Sequence, residues 1–243
     1  SFQGVMKDIS RILKATYHGD ATVVVPGGGT YAMEAVARQF ATNEKCLVIR
    51  NGWFSYRWTQ IFDMGSIPSA SIVLTARQLR DEAQAPFAPH VETSAGMMLP
   101  DDYITAVGEA VRAYGGLFVL DCIASGTIWV DMAACNVDVL ITAPQKGWSA
   151  SPCAGLVVLN ERAIKRLGET TSTSFACDLA KWYQIMQAYE GGAHAYHATM
   201  PTDGLVKLCA TMLETEAYGF QKVRDEQQAL GDAVRALLEE NGF

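Results

Sequence analysis

The chain has 243 residues, 49% of them apolar and 19% charged, with a formal net charge of −7. Such a composition fits a globular chain able to bury a sizeable core, and the acidic balance excludes a surface for nucleic acid or anionic membrane, which needs clustered Lys and Arg. No apolar run approaches the ~20 residues of a membrane span.

In chain order, residues 1–16 carry an amphipathic helical pattern of mixed charge, unlike a signal peptide. Ala21–Val25 is a short apolar strand closed by Pro26-Gly27-Gly28-Gly29. A helix is predicted over Thr30–Ala41, a strand over Lys45–Arg50, a turn at Asn51-Gly52 and a helix over Phe54–Met64. Ser71–Thr75 is the next strand. Asp101–Tyr114 reads as a helix entered through Pro100 and left at Gly115-Gly116, followed by strands at Leu117–Asp121, Val137–Thr142 and Leu156–Leu159. Thr202–Tyr218 and Phe220–Asn241 read as two helices, or as one bent at Gly219. This alternation predicts an α/β domain with a mostly parallel central sheet flanked by helices. The boundary falls near Tyr218-Gly219, giving a large domain over 1–218 and, over 219–243, the first helix of a second unit.

The six cysteines (46, 122, 135, 153, 177 and 209) show no metal spacing and no metal site is expected. They read as buried free thiols in a reducing compartment, with the cytoplasm as default.

Ligands of open parallel sheets sit outside the carboxyl ends of the strands, and four segments fall there. Gly27-Gly28-Gly29-Thr30 turns strand into helix, where backbone N–H groups can cradle a phosphate. Trp53-Phe54 could stack on a planar ring. Asp121 ends one strand, where a carboxylate is costly unless it meets a cation or donor. Gln145-Lys146 follows the next. A lysine able to form a Schiff base, a carboxylate able to keep a pyridine nitrogen protonated, a phosphate cradle and an aromatic plate together match the needs of pyridoxal phosphate.

These residues resemble the class V aminotransferases of the fold-type I pyridoxal phosphate enzymes, among them the alanine–glyoxylate, serine–pyruvate and 2-aminoethylphosphonate aminotransferases. The resemblance runs from about Thr22 to the C-terminus. It implies a phosphate loop at Gly28, Gly29 and Thr30, with Gly28 where the family usually has serine. In Asn51-Gly52-Trp53-Phe54-Ser55-Tyr56-Arg57 it selects Phe54 as the ring-stacking residue, with Trp53 in reserve and the role of Arg57 open. In His90-Val91-Glu92-Thr93-Ser94-Ala95-Gly96 it selects Ser94 as the hydroxyl near the cofactor ring and substrate. It assigns Asp121 to the pyridine nitrogen, Gln145 to the phosphate and Lys146 to the Schiff base and proton transfer. In Tyr196-His197-Ala198-Thr199-Met200-Pro201 it implies that Tyr196 and Thr199 bind the cofactor phosphate of a partner subunit, hence a homodimer with shared sites. The implied reaction moves an amino group from a small amino acid to a 2-oxo acid such as glyoxylate or pyruvate.

The family also has a Pro/Gly-rich segment before the position of Ser1 and a carboxylate-binding arginine in a C-terminal domain beyond Phe243. The chain is therefore expected to be either part of a longer enzyme or a degenerate form, and the amino donor is not legible in it. Between Thr75 and His90 the family usually inserts a helix and a strand, whereas here about fifteen residues connect, room for little more than one short helix. A competing reading takes Gly27-x-Gly29-x-x-Ala32 with Arg50 as a nicotinamide dinucleotide fingerprint. A zinc deaminase reading of His90-Val91-Glu92 and Pro152-Cys153 fails because Leu156 stands where its second cysteine belongs. A class V lyase or desulfurase, the latter with Cys153 as the nearest candidate thiol, and a degenerate non-catalytic member remain as alternatives.

Overall fold

The computed structural model describes residues 1–76, 78 and 86–243. Among these, the helices are α1 (Phe2–Tyr17), α2 (Gly29–Phe40), α3 (Trp53–Gly65), α4 (Asp101–Ala113), α5 (Glu161–Glu169), α6 (Leu179–Glu190), α7 (Thr202–Tyr218) and α8 (Phe220–Glu240). The strands are β1 (Ala21–Pro26), β2 (Lys45–Ile49), β3 (Ala70–Leu74), β4 (Pro86–Pro89), β5 (Val91–Glu92), β6 (Met97–Met98), β7 (Val119–Asp121), β8 (Val139–Thr142) and β9 (Ala154–Leu159). Most predicted elements are present within two residues of their expected ends. Four were not foreseen: β4, the β5–β6 hairpin, α5 and α6. The short 75–90 connection expected from the sequence lies largely outside the described residues.

Seven strands form one sheet in the order β1-β9-β8-β7-β4-β2-β3. Pairing is parallel from β8 through β3, while β9 runs antiparallel to both β8 and β1. The sheet is thus mostly parallel, and every strand except β9 delivers its carboxyl end to the same edge.

The near-continuous apolar strands follow from burial on both faces. Side chains alternate along a strand. Val24, Leu120, Leu140, Leu156 and Val158 therefore pack with α1, α4 and α7, around Ile9, Leu13, Ile104, Val107, Leu205 and Leu208. Val23, Val25, Val119, Val139, Ile141, Val157 and Leu159 face the other way, against α2, α3, α5 and α6, with Met33, Trp58, Phe62, Leu167 and Trp182. Each such large apolar side chain contributes about 1.5–3 kcal/mol when fully buried. Two cores and the sheet between them make a three-layer α/β/α unit.

At the amino end of β8, Asp138 is fully buried and completely paired. It accepts the Phe118 N–H (2.8 Å) and Asn160 Nδ2 (2.8 Å), and Arg162 Nη1 lies 2.9 Å from both its oxygens. Gly219 separates α7 from α8 with φ +105°, a left-handed conformation that favours glycine. The first half of α8 is tied to the connection between β7 and β8 through Trp129 Nε1 to the Phe220 carbonyl (3.1 Å) and the Thr127 N–H to Gln227 Oε1 (2.7 Å). No helix among the described residues is long and apolar enough to cross a membrane.

Candidate active site

A cavity of about 200 Å³ opens at the shared carboxyl edge of the strands, lined among others by Gly29, Thr30, Phe54, Arg57, Asp121, Gln145 and Lys146. They arrive from four strand ends, those of β1, β2, β7 and β8. α2 begins directly after β1, with Gly28 as its N-cap in extended backbone and Gly29 buried. A Cβ on Gly29 would come within 2.5 Å of Ile123 Cδ1, so glycine lets the helix start close against the segment after Asp121. The Tyr31 N–H already bonds the Gly28 carbonyl (3.0 Å), which leaves the N–H groups of Gly29 and Thr30 at the positive end of the helix.

Asp121 ends β7, is 6% exposed, and its Oδ1 accepts the Ile123 N–H at 3.0 Å. Among the described residues no protein group hydrogen-bonds its Oδ2. Burial pushes the carboxyl up to about 6, against the pull of the Ile123 N–H and the Arg57 charge; the nearby Glu92 charge raises it further. The Trp58 indole N–H, buried and without a partner at hydrogen-bond distance, lies close enough to favour the ionised form.

Lys146 is exposed on the loop after β8, and the chain beside it explains its placement. Trp148, fully buried, packs on Trp129 with ring centroids 4.8 Å apart and edge-on to Tyr17. Gly147 passes so close to Gly126 that a Cβ would sit 1.9 Å from the Gly126 carbonyl oxygen. The loop is therefore pinned on one side of Lys146 by a large anchor and a mandatory glycine. On the other side Gln145 Oε1 is buried without a hydrogen-bond partner.

Phe54 stands in the first turn of α3, and Arg57, one turn further on, brings its guanidinium 5.4 Å from the Phe54 ring centre. Arg57 Nη1 also donates to Thr30 Oγ1 at 3.1 Å, linking α3 to the start of α2. The sequence left the role of Arg57 open, although its i+3 spacing from Phe54 puts both on one helix face.

Other residues singled out in the sequence fall elsewhere. Thr93, not Ser94, lines the cavity. The Ser94 hydroxyl donates to Glu92 Oε1 (2.6 Å) and accepts the Trp53 N–H (2.8 Å). Gly28 caps α2 without lining the cavity, and Tyr196 and Thr199 are exposed outside it. His197 bonds the Phe175 carbonyl (2.8 Å) and packs on Phe175 and Trp182, a structural contact. His90 is buried against Ser125 Oγ (2.7 Å), and burial lowers its pKa to about 4, so it stays neutral at ordinary pH.

Two rival readings lose support. In a dinucleotide site the first two strands of the fingerprint are neighbours. Here β9, β8, β7 and β4 stand between β1 and β2, and Arg50 turns onto Tyr56 (5.1 Å) and Thr59 (3.5 Å). Cys153 does not line the cavity; it is half-buried against Gly204, and burial raises its thiol pKa, the reverse of an activated nucleophile. Among the described residues no cluster of His, Cys, Asp and Glu could hold a metal.

Among the described residues, a buried carboxylate with a free oxygen, a helix start with free N–H groups at Gly29 and Thr30, an aromatic face and a lysine amine fit pyridoxal phosphate chemically.

Residues 56–243 match the family model of the class V aminotransferases. The chain is similar to the 2-aminoethylphosphonate–pyruvate transaminase of Burkholderia pseudomallei (strain K96243), 31% identical over 97% of this chain and 66% of that one. It thus spans just under two thirds of the length of that relative. Its fold is similar to that of alanine–glyoxylate aminotransferase from Nostoc sp. (TM-score 0.84, 24% identity, 99% of this chain and 66% of that one). It is also similar to that of an aspartate aminotransferase from Thermus thermophilus (TM-score 0.81, 24% identity, 99% and 69%). With the family model covering well over half of its residues, this chain belongs to the class V aminotransferase family.

Proposed function

We propose that the chain is the cofactor-binding part of a pyridoxal phosphate-dependent transaminase that moves an amino group from a small amino donor to a 2-oxo acid such as pyruvate or glyoxylate. The observation that carries this reading is the convergence of Asp121 and Lys146, from the ends of adjacent strands, on one cavity beside the start of α2. A relative 31% identical is named for 2-aminoethylphosphonate and pyruvate, which supports pyruvate as acceptor.

Pyridoxal phosphate, when bound, supplies an electron sink for the substrate α-carbon. Lys146 Nζ would be the covalent attachment point, and its free amine would take the proton from the substrate α-carbon and hand it back as general base and acid. Asp121, in its ionised form, would accept a hydrogen bond from the protonated ring nitrogen. Phe54 would cover a ring face, while Gly29, Thr30 and Gln145 would hold the phosphate, with Gly28 contributing backbone. Thr93 and Ser94 share one short turn, and either hydroxyl would serve the ring and substrate side. Tyr196 and Thr199, exposed on one protomer, would complete the phosphate site of a second copy, making the enzyme a homodimer. Residues 1–218 form the cofactor-binding domain and 219–243 open another, which suits the exposed Leu230, Val234 and Leu237 of α8. Six free cysteines suit a reducing cytoplasm.

Titration with pyridoxal phosphate should give a visible absorbance band that is lost in Lys146→Ala, and amino transfer should fall ~10²–10⁴-fold in that variant. Screening alanine, serine and 2-aminoethylphosphonate for bleaching of the band then identifies the donor. Persistence of the band in Lys146→Ala, or amino transfer from none of the donors, would overturn the reading.

A further inference from the structure

Glu92 on β5 is 1% exposed and accepts four hydrogen bonds. Oε1 takes the Phe54 N–H (3.1 Å) and the Ser94 hydroxyl (2.6 Å); Oε2 takes the Ser55 N–H (2.9 Å) and the Ser55 hydroxyl (2.8 Å). Phe54 and Ser55 lie in the first turn of α3, whose N–H groups have no partner within the helix. The N-cap residue is Gly52, which has no side chain to serve them. A Cβ there would come within 2.5 Å of Ser94 Oγ and 2.7 Å of Glu92 Cγ. A carboxylate 38 residues further along the chain therefore does the capping, at the end of the helix where negative charge is favoured.

The two parts that Glu92 joins are both walls of the cavity. Phe54 belongs to one, and Val91 and Thr93, on either side of Glu92, to the other. Burial alone would raise this carboxyl, yet the hydrogen bonds from Ser94, Ser55 and Phe54 hold it below its ordinary value, so it remains a carboxylate. A charged, fully bonded group is a stiff link between two elements far apart in sequence.

We propose that Glu92 is a positioning residue, clamping the first turn of α3 to β5 and so fixing where the Phe54 ring meets the cofactor. The proposal rests on the reading of the cavity as a pyridoxal phosphate site. Removing the clamp leaves Phe54 present but free to shift, so binding weakens through Phe54 and not through loss of a cofactor contact.

Amide hydrogen exchange in the cofactor-free protein tests the clamp by itself. Glu92→Gln places an NH₂ against donors and should speed exchange at Phe54 and Ser55 by about tenfold or more; unchanged exchange overturns the clamp. Equilibrium binding of pyridoxal phosphate to wild type, Glu92→Gln, Phe54→Ala and the double variant tests positioning. The expected result is about tenfold weaker binding in Glu92→Gln, shrinking to less than about twofold once Phe54 is alanine. Additive losses overturn action through Phe54. A wild-type chain that binds no pyridoxal phosphate overturns the cavity reading and the positioning role with it, and the exchange result separates that outcome from failure of the clamp. If Glu92→Gln does not fold, Glu92→Asp keeps the charge but draws back from the amides. The same exchange and coupling are expected of it, and their absence overturns the proposal.

Discussion

Asp121 and Asp138 are both buried aspartates at the β7–β8 pair, one at the carboxyl edge of the sheet and one at the amino edge. Asp138 has a backbone N–H, the Asn160 amide and the Arg162 guanidinium on its two oxygens. Asp121 has the Ile123 N–H on one oxygen, and burial pushes its carboxyl up to about 6. The first arrangement compensates a buried charge fully and holds β7, β8 and α5 in register. The second leaves capacity over, which costs the ligand-free fold and is available to a cationic ligand group. The amino edge of the sheet carries a compensated charge and the carboxyl edge an uncompensated one beside a cavity.

The largest expected effect is at the amino edge. Asp138→Ala strands the Phe118 N–H, the Asn160 amide and a half-buried Arg162. Removing one partner of such a network costs about 3–4 kcal/mol. Urea unfolding should show the midpoint falling accordingly, and an unchanged midpoint would erase the contrast between the two aspartates.

Asp121→Asn should act in the opposite direction on the ligand-free protein. Folding raises this carboxyl from 3.8 to about 6, so the folded state resists its ionisation. The penalty is absent below about pH 4, grows between there and pH 6, and is complete above. Asparagine keeps an acceptor for the Ile123 N–H and avoids the penalty, gaining on the order of 2 kcal/mol at pH 8 and little at pH 4. Pyridoxal phosphate binding and amino transfer should be impaired in the same variant. Urea curves at the two pH values check this; a loss of stability at pH 8 would make Asp121 a second structural aspartate.

The same division governs what could be read from the chain. β1, β7, β8 and β9 are legible because burial on both faces makes them unbroken apolar runs ended by a Gly turn or a polar residue. Asp121, Lys146 and Phe54 are legible as candidates because Asp121 ends β7, Lys146 follows β8 and Phe54 follows β2, and the three line one cavity. β4 is four residues with proline at both ends, and β5 and β6 are two residues each, too short to show a period. α5 buries only Ala163 and Leu167 within a charged segment. α6 did leave a signal: Asp178 as N-cap, then Leu179, Trp182, Ile185 and Met186 at helical spacing. The bonds of Glu92 to α3 are invisible in the chain because its partners are 37 and 38 residues away across a β–α junction. Thr93 and Ser94 are neighbours, and only the 3-10 turn they occupy decides which one faces the cavity.

The smallest effect expected is at Gly28, where the carboxyl edge has capacity to spare in another form. Its backbone is extended, with φ −158°, and an added Cβ would meet nothing within 4 Å, so a side chain there is neither strained nor crowded. No side-chain hydrogen bond caps α2 at this position. Gly28→Ser supplies a hydroxyl at an N-cap, worth a few tenths of a kcal/mol over glycine. It also adds a donor beside the helix start that is proposed to bind phosphate. Thermal unfolding should therefore rise by no more than a degree or two (about 2–4 °C per kcal/mol for a chain of this size), while pyridoxal phosphate binds more tightly. Tighter binding of pyridoxal, which lacks the phosphate, by the same factor would place the gain elsewhere than at the helix start. Weaker binding with unchanged stability would mean that the space at Gly28 is needed by the ligand itself.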